Sequence, residues 1–297
     1  MVGVTGSIPV GSTRVRNEGK KVHMRRRRFL GLLGAGAVGG AATGLVRPGP
    51  REVPDEMDPE ALDDYVPRPT SGQQRIIWSV GTDVPAAALT FDDGPDPDFT
   101  PQILDVLERY EVEGTFFALG YNAARHPKLL REVVAAGHEI GSHGNRHLNL
   151  AETNPQETRN EIEVGTKIVE EQAEVPVRVF RPAYGRIDEA SLRLLALRGN
   201  DMVVWSVDRG KLTWRDPRQI ASHVLESLEP GGIIGLHDGI GRGTFNRGSE
   251  GAARLHRRRA VEIEALPRLL EGARARGIRL TSVSKLMAAA RSSDRRT

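Results

Sequence analysis

Cysteine is absent from the 297 residues. That excludes a disulfide framework, a thiolate metal site, a cysteine nucleophile and a lipidated-cysteine anchor. No segment repeats another, which leaves no ground for a solenoid or a propeller. Acids are scarce at the start: residues 1–50 hold nine Lys/Arg and the single acid Glu18, whereas residues 51–290 hold 30 bases against 37 acids. The net charge of +3 and the pI near 9.4 therefore belong to the two ends of an acidic body. A nucleic-acid-binding surface loses its only support. About half of the residues are apolar once glycine is counted, the usual globular share, so wholesale disorder is excluded too. The length suits two domains of ~150 residues or one α/β barrel of ~250.

The basic start is an address. Arg25–Arg28 precede Phe29-Leu30 and an apolar run to Val46, and Arg26-Arg27-Arg28-Phe29-Leu30 is similar to a twin-arginine export signal. Six glycines between Phe29 and Val46 make a poor soluble helix. The run is just long enough to span a bilayer, so residues 24–46 read as an export signal or an uncleaved anchor, and membrane attachment would run through 29–46 alone. Ahead of it, Gly6–Thr13 back-translates into the T-arm and acceptor end of a transfer-RNA gene, so residues 1–23 read as an extension upstream of a true start at Met24. Residues 47–83 form a linker; its stretch 47–75 holds six Pro and seven Asp/Glu without apolar periodicity. A body at 84–290 and a basic tail at 291–297 complete the chain.

Within the body, short apolar runs alternate with helical periodicity. The runs are 86–91, 115–118, 138–142, 178–180, 202–207, 232–236 and 278–283; the helices are 100–110, 127–136, 155–174, 187–198, 216–228, 259–276 and 284–290. Seven βα units predict one parallel α/β domain. Chemically interesting residues end runs one, three, four, five and six, which favours a barrel over an open sheet with its site at a single switch point.

Asp92-Asp93-Gly94-Pro95 is, alone, more often simply a turn. His143 and His147 at i and i+4 are, alone, more often two unrelated histidines. Together with Asp93 they form a two-histidine, one-carboxylate set, which leaves coordination positions open for water as catalytic zinc sites do. His237 ends the run 232–236, where a satisfied core histidine is the bland alternative.

These residues stand in five ordered motifs: Thr90-Phe91-Asp92-Asp93-Gly94-Pro95, Ser142-His143-Gly144-Asn145-Arg146-His147, Phe180-Arg181-Pro182-Ala183-Tyr184-Gly185, Trp205-Ser206-Val207-Asp208 and Leu236-His237-Asp238-Gly239. Across residues 84–290 the chain resembles the polysaccharide deacetylase family (NodB-homology domain, carbohydrate esterase family 4). The resemblance implies a distorted (β/α) barrel of about seven parallel strands and a divalent metal, Zn²⁺ preferred, with Co²⁺ and Ni²⁺ suiting the same donors. It implies removal of N-acetyl groups from glucosamine-type glycans, or of O-acetyl groups from xylan. Mapped onto this chain, it makes Asp93, His143 and His147 the metal ligands and Asp92 the general base, with Arg181 holding that base. His237 becomes the general acid, the Tyr184 backbone N–H an oxyanion donor, and Trp214 and Leu236 the walls of the acetyl pocket.

Two departures from the family pattern matter. Gly144 stands where many members carry Ser or Thr, and the fourth motif runs Asp208-Arg209-Gly210-Lys211-Leu212-Thr213-Trp214, with Thr in place of the acid before Trp. Either Asp208 alone or Asp216 from beyond the Trp would then partner Arg181, and Asp208 or another carboxylate would orient His237. Residues 242–259 hold six arginines against Glu250. They read as a solvated loop, the sharper alternative being a grip on anionic wall polymer.

The expectation is an exported, extracytoplasmic, monomeric metal-dependent deacetylase of an N-acetylated polysaccharide, peptidoglycan ahead of chitin oligomers and acetylxylan. A non-catalytic glycan-binding relative is the rival; a cytoplasmic amidase for small cyclic amides conflicts with the export signal. If Met24 is the true start, peptide mapping of the protein from its native host returns nothing from residues 1–23. A peptide from that stretch overturns the assignment.

Overall fold

Ala86–Asp92 is buried at all seven positions, the condition of a parallel strand covered on both faces, and this is why it reads as one apolar run instead of an alternation. It is the second of eight short strands in a computed structural model that describes residues 76–209, 216–241 and 250–294. Outside the described residues lie the proposed extension, the signal or anchor, the linker as far as residue 75, Trp214, Arg242, Arg247 and the last three residues of the tail.

The strands are β1 (Ile76–Ile77), β2 (Ala86–Asp92), β3 (Thr115–Ala118), β4 (Glu139–Ser142), β5 (Val179–Phe180), β6 (Asp201–Val203), β7 (Ile233–His237) and β8 (Arg279–Thr281). All pair in parallel in the order β1-β6-β5-β4-β3-β2-β7, with β8 also paired to β2. Seven strands fall in the seven predicted runs. The eighth, β1, comes from the end of the segment read as linker: Ile76 and Ile77 add to the β6 edge opposite Met202 and Val203. The folded domain thus begins at least eight residues before position 84.

Among the described residues, closure comes from a parallel bridge, Val207 to Ile234, and from Val80 donating to the Gly231 carbonyl at 2.8 Å. Ser206 and Val207 donate to the Ile233 carbonyl at 3.1 Å, and Gly235 donates to Val207 at 2.9 Å. The chain leaving β6 therefore reaches β7 at the far end of the sheet, and the arrangement is a distorted (β/α) barrel. Phe91 of β2 stacks on Phe116 of β3 at 4.9 Å inside the core.

The helices are α1 (Thr100–Tyr110), α2 (Gly120–Arg125), α3 (Pro127–Ala135), α4 (Pro155–Arg159), α5 (Gly165–Ala173), α6 (Glu189–Arg198), α7 (Pro217–Ser227), α8 (Glu250–Ala275) and α9 (Val283–Asp294). Their starts follow from capping chemistry. Asn154 and Glu157 form a capping box for α4, Asp188 accepts from the Ser191 N–H at the start of α6, and Asp216 accepts from the Arg218 N–H at the start of α7. Asp216 is therefore a helix cap, which corrects its reading as a substitute partner of Arg181. Helix α8 starts at Glu250, not at 259, so Arg254, Arg257, Arg258 and Arg259 sit on its first turns and not in a loop. Helix α9 continues to residue 294, into the predicted tail. Between α4 and α5 the helix widens into a π turn, Asn160–Val164. Among the described residues no helix is long and apolar enough to cross a membrane.

Candidate active site

Barrel geometry gathers the C-terminal strand ends on one rim. Asp92 ends β2 and is in register with His237 at the end of β7, so their side chains leave adjacent strands on the same side. His143 follows β4, and Arg181 follows β5.

Arg181 is fully buried. It donates to Asp92 Oδ1 at 2.8 Å, to Thr90 Oγ1 at 2.7 Å and to the carbonyls of Val203 and Val204 at 3.2 and 2.9 Å. Its guanidinium lies 4.1 Å from the centre of the Phe117 ring. Desolvating a guanidinium this completely is tolerable because every edge of the fork meets an acceptor or a π face.

Asp93 is 2 % exposed. Among the described residues its Oδ1 has no hydrogen-bond partner, and it lies 3.6 Å from His143 Nε2 and 3.3 Å from His147 Nε2. The three side chains offer ligand atoms within 4.8 Å of one another. His143 Nδ1 lies 2.8 Å from the Arg181 carbonyl, so that nitrogen carries the proton and Nε2 presents its lone pair. Burial pushes His147 down to about 4 against the opposing pull of Asp93, which leaves it a neutral imidazole at neutral pH. Burial works to raise the Asp93 carboxyl, but His147, Arg259, His143 and His237 outweigh it and hold the group well below the usual carboxylate range. An orphaned anionic oxygen between two imidazole nitrogens fits a divalent cation.

Backbone strain collects here. Asp93, His147 and Tyr184 adopt φ of 79°, 65° and 60°, conformations that cost such residues of order 1–3 kcal/mol each and persist only where the surroundings impose them. The described residues with positive φ that lie outside the site, glycines aside, are Glu111 and Glu174, both helix C-caps. Tyr184 sets its ring edge-on to His147 at 4.5 Å. Leu236 is buried one residue before His237.

The partner of His237 is Glu262, from α8. Its Oε2 is 3.0 Å from His237 Nδ1 and accepts from the His237 N–H at 3.1 Å. Its Oε1 accepts from Arg209 at 2.7 Å and from Arg259 at 2.9 Å. Burial would raise the Glu262 carboxyl, yet Arg209, His237 and Arg259 together hold it well below its ordinary range. Arg259 also donates to Asp93 Oδ2 at 3.2 Å and to the Gly239 carbonyl at 2.8 Å. Arg258 and Arg259 are both buried, which removes them from any external grip on an anionic polymer.

Asp208 goes elsewhere: its Oδ1 lies 3.4 Å from His223 Nε2 on α7. Val207 and Arg209 on either side of it are buried, the one bridged to Ile234 and the other bonded to Glu262, while Asp208 between them is only partly buried. Arg181 is satisfied by Asp92, Thr90 and two carbonyls, without Asp208.

Glu262 and Arg259 escaped the sequence reading. The signal was a helical stripe, Leu255, Arg259, Glu262, Leu266, Leu269 and Ala273, in which two charges occupy core positions and must pair. Asp238, in the fifth motif, is a further carboxylate at this rim. It is buried, accepts from the Gly94 N–H at 3.0 Å and from Thr100 Oγ1 at 2.8 Å, and so ties the Asp93 turn to α1.

The family model described as "Polysaccharide deacetylase" matches residues 79–203. A peptidoglycan-N-acetylglucosamine deacetylase of Bacillus cereus is 34% identical over 214 residues, 71% of this chain and 92% of that one. A chitooligosaccharide deacetylase of Sinorhizobium fredii is 40% identical over 168 residues, 56% of this chain and 77% of that one. A crystal structure of a peptidoglycan N-acetylglucosamine deacetylase bound to 4-naphthalen-1-yl-N-oxidanyl-benzamide superposes with a TM-score of 0.62 at 29% identity, covering 77% of this chain and 96% of that one.

Burial, reinforced by Asp93 and Asp92 and only partly offset by the bonds from Thr100 and Gly94, pushes Asp238 up to about 8 from an ordinary 3.8. A raised carboxyl binds its proton more tightly folded than unfolded, so its contribution is fully present below pH ~4 and is lost as pH rises through ~8. In metal-free protein, Asp238→Asn keeps a neutral side chain and removes this loss. Urea unfolding between pH 5 and 7 is expected to show wild-type stability falling relative to the variant, by up to about 1.4 kcal/mol per pH unit. Parallel pH profiles would contradict the assignment.

Proposed function

The chain belongs to the polysaccharide deacetylase family, carbohydrate esterase family 4, and on that premise we propose that it removes N-acetyl groups from the N-acetylglucosamine units of peptidoglycan outside the cytoplasm. It is a hydrolase of the polysaccharide deacetylase type, acting on carbon–nitrogen bonds other than peptide bonds. The observation that carries the proposal is the orphaned Asp93 oxygen between two imidazoles, one residue from a carboxylate locked to a buried arginine. Peptidoglycan leads because the relative matched over most of both chains is named for it. The twin-arginine-like start supports export. Chitin oligomers are the second substrate class, supported by the S. fredii relative.

Asp93, His143 and His147 would hold the divalent cation, Zn²⁺ being the ion this donor set favours. Bound there, the cation supplies Lewis-acid polarisation and lowers the pKa of water, so that attack on an acetamide carbonyl proceeds at neutral pH. Asp92 is the general base. Arg181 occupies its Oδ1, leaving Oδ2, 4.0 Å from His143 Nε2, to take the proton from the attacking water. Developing negative charge on the carbonyl oxygen meets the backbone N–H of Tyr184. His237 then protonates the departing sugar nitrogen from Nε2, its Nδ1 being committed to Glu262. One water is consumed; acetate and a free amine leave. Leu236 walls the acetyl methyl; Trp214, the other wall the resemblance implies, lies outside the described residues.

Acetate release from peptidoglycan, chitopentaose and acetylxylan tests this reading. Chelation is expected to abolish release, and Asp92→Asn to lower kcat by about 10²–10⁴. Glu262→Gln keeps the shape but not the charge, and is expected to lower kcat about tenfold or more with KM little changed. Release indifferent to chelator and to Asp92→Asn refutes the mechanism. Glycan binding without any release identifies a non-catalytic relative.

A further inference from the structure

We infer that Glu161, on the π turn between α4 and α5, is the positioning residue that holds the loop carrying His143 and His147 in its ligating shape. The inference rests on the metal-site reading given above. Glu161 is 1 % exposed. Its carboxylate accepts from the backbone N–H groups of Asn145 at 3.1 Å, Arg146 at 2.9 and 3.1 Å, and Leu148 at 3.3 Å. All three donors lie on the loop between and just after the two histidines, and two of them flank His147.

A carboxylate only accepts, so three inward N–H groups converging on one anion fix the loop's path as a neutral side chain would not. His147 needs such a hold, because its φ of 65° is costly without imposed surroundings. The π turn supplies the reach. Glu161 stands on that turn, Asn160–Val164, a kind of local widening that recurs at functional sites.

The loop is built to receive it. A Cβ on Gly144, which sits at φ +87°, would lie 2.7 Å from Glu161 Oε2, and a Cβ on Gly165 would lie 2.6 Å from the Asn145 nitrogen. Glycine at these two positions lets helix and loop backbones meet. At Gly144, where the resemblance sets Ser or Thr in many members, the Glu161 carboxylate occupies the space a side chain would fill. Asn160 adds a bond from the same turn, its Oδ1 accepting from Asn145 Nδ2 at 2.6 Å.

The test is Zn²⁺ affinity of the full chain, measured by competition with a chromophoric chelator, alongside thermal unfolding of the metal-free protein. Glu161→Gln sets amide donors against backbone donors and is expected to weaken Zn²⁺ binding about 10–100-fold, the usual effect of losing a group that orients ligands. Glu161→Asp keeps the charge with a shorter reach and is expected to weaken binding by more than about threefold but less than Glu161→Gln does; it carries the test if Glu161→Gln does not fold. A folded variant of either kind that binds Zn²⁺ within threefold of wild type overturns the inference. Wild-type protein that binds no stoichiometric Zn²⁺, or binds it equally after His147→Ala, overturns the metal-site reading itself and the role of Glu161 with it.

Discussion

The rest of the site is organised around one buried negative charge with one oxygen left unmatched. Asp93 cannot stay ionised in a barrel interior without compensation, since an isolated buried carboxylate is prohibitively costly. Arg259 takes its outer oxygen, and the inner one faces two imidazoles. Arg259, buried in turn, needs an anion and finds Glu262; Glu262 needs its second oxygen satisfied and finds His237. The proposed cation site and His237, the proposed acid, are therefore joined by one chain of alternating charge. Asp92 and Arg181 form a second, shorter unit beside it.

Such networks hold only on a rigid frame. Seven buried positions in β2 and the Val207–Ile234 bridge fix the rim on which these residues stand. The segment after β6 serves two purposes: Val207 bridges to β7 and Arg209 reaches Glu262, while Asp208 meets His223. The strained backbone at Asp93, His147 and Tyr184 belongs to the same economy, with the scaffold holding in advance geometry that ligand binding would otherwise have to impose.

Much of this was legible in the sequence, for identifiable reasons. Parallel strands buried on both faces leave apolar runs that end in chemistry, so β2 to β8 and the positions of Asp92, His143, Arg181 and His237 could be read from pattern and motif. Strand β1 was missed because two isoleucines after a Pro-rich acidic stretch carry no period. Asp208 meets His223, and Arg181 is satisfied without it; a motif fixes sequence position and not which neighbours a side chain meets. Glu262 lies 25 residues beyond His237 on a helix, and Glu161 reaches its loop through a π turn that no spacing rule anticipates. Long-range pairing of buried charge is a tertiary property: local pattern marks a charge as misplaced on an apolar face without naming its partner.

The central claim is that Asp93, His143 and His147 bind one divalent cation. X-ray absorption at the zinc edge, on full-length protein loaded with one equivalent of Zn²⁺, tests it most directly. One tightly held ion per chain is expected, with two imidazoles and oxygen donors at about 2.0–2.1 Å, and loss of the imidazole signature in the His143→Ala, His147→Ala double variant. Zinc that is not retained, or a coordination shell the double substitution leaves unchanged, would contradict it.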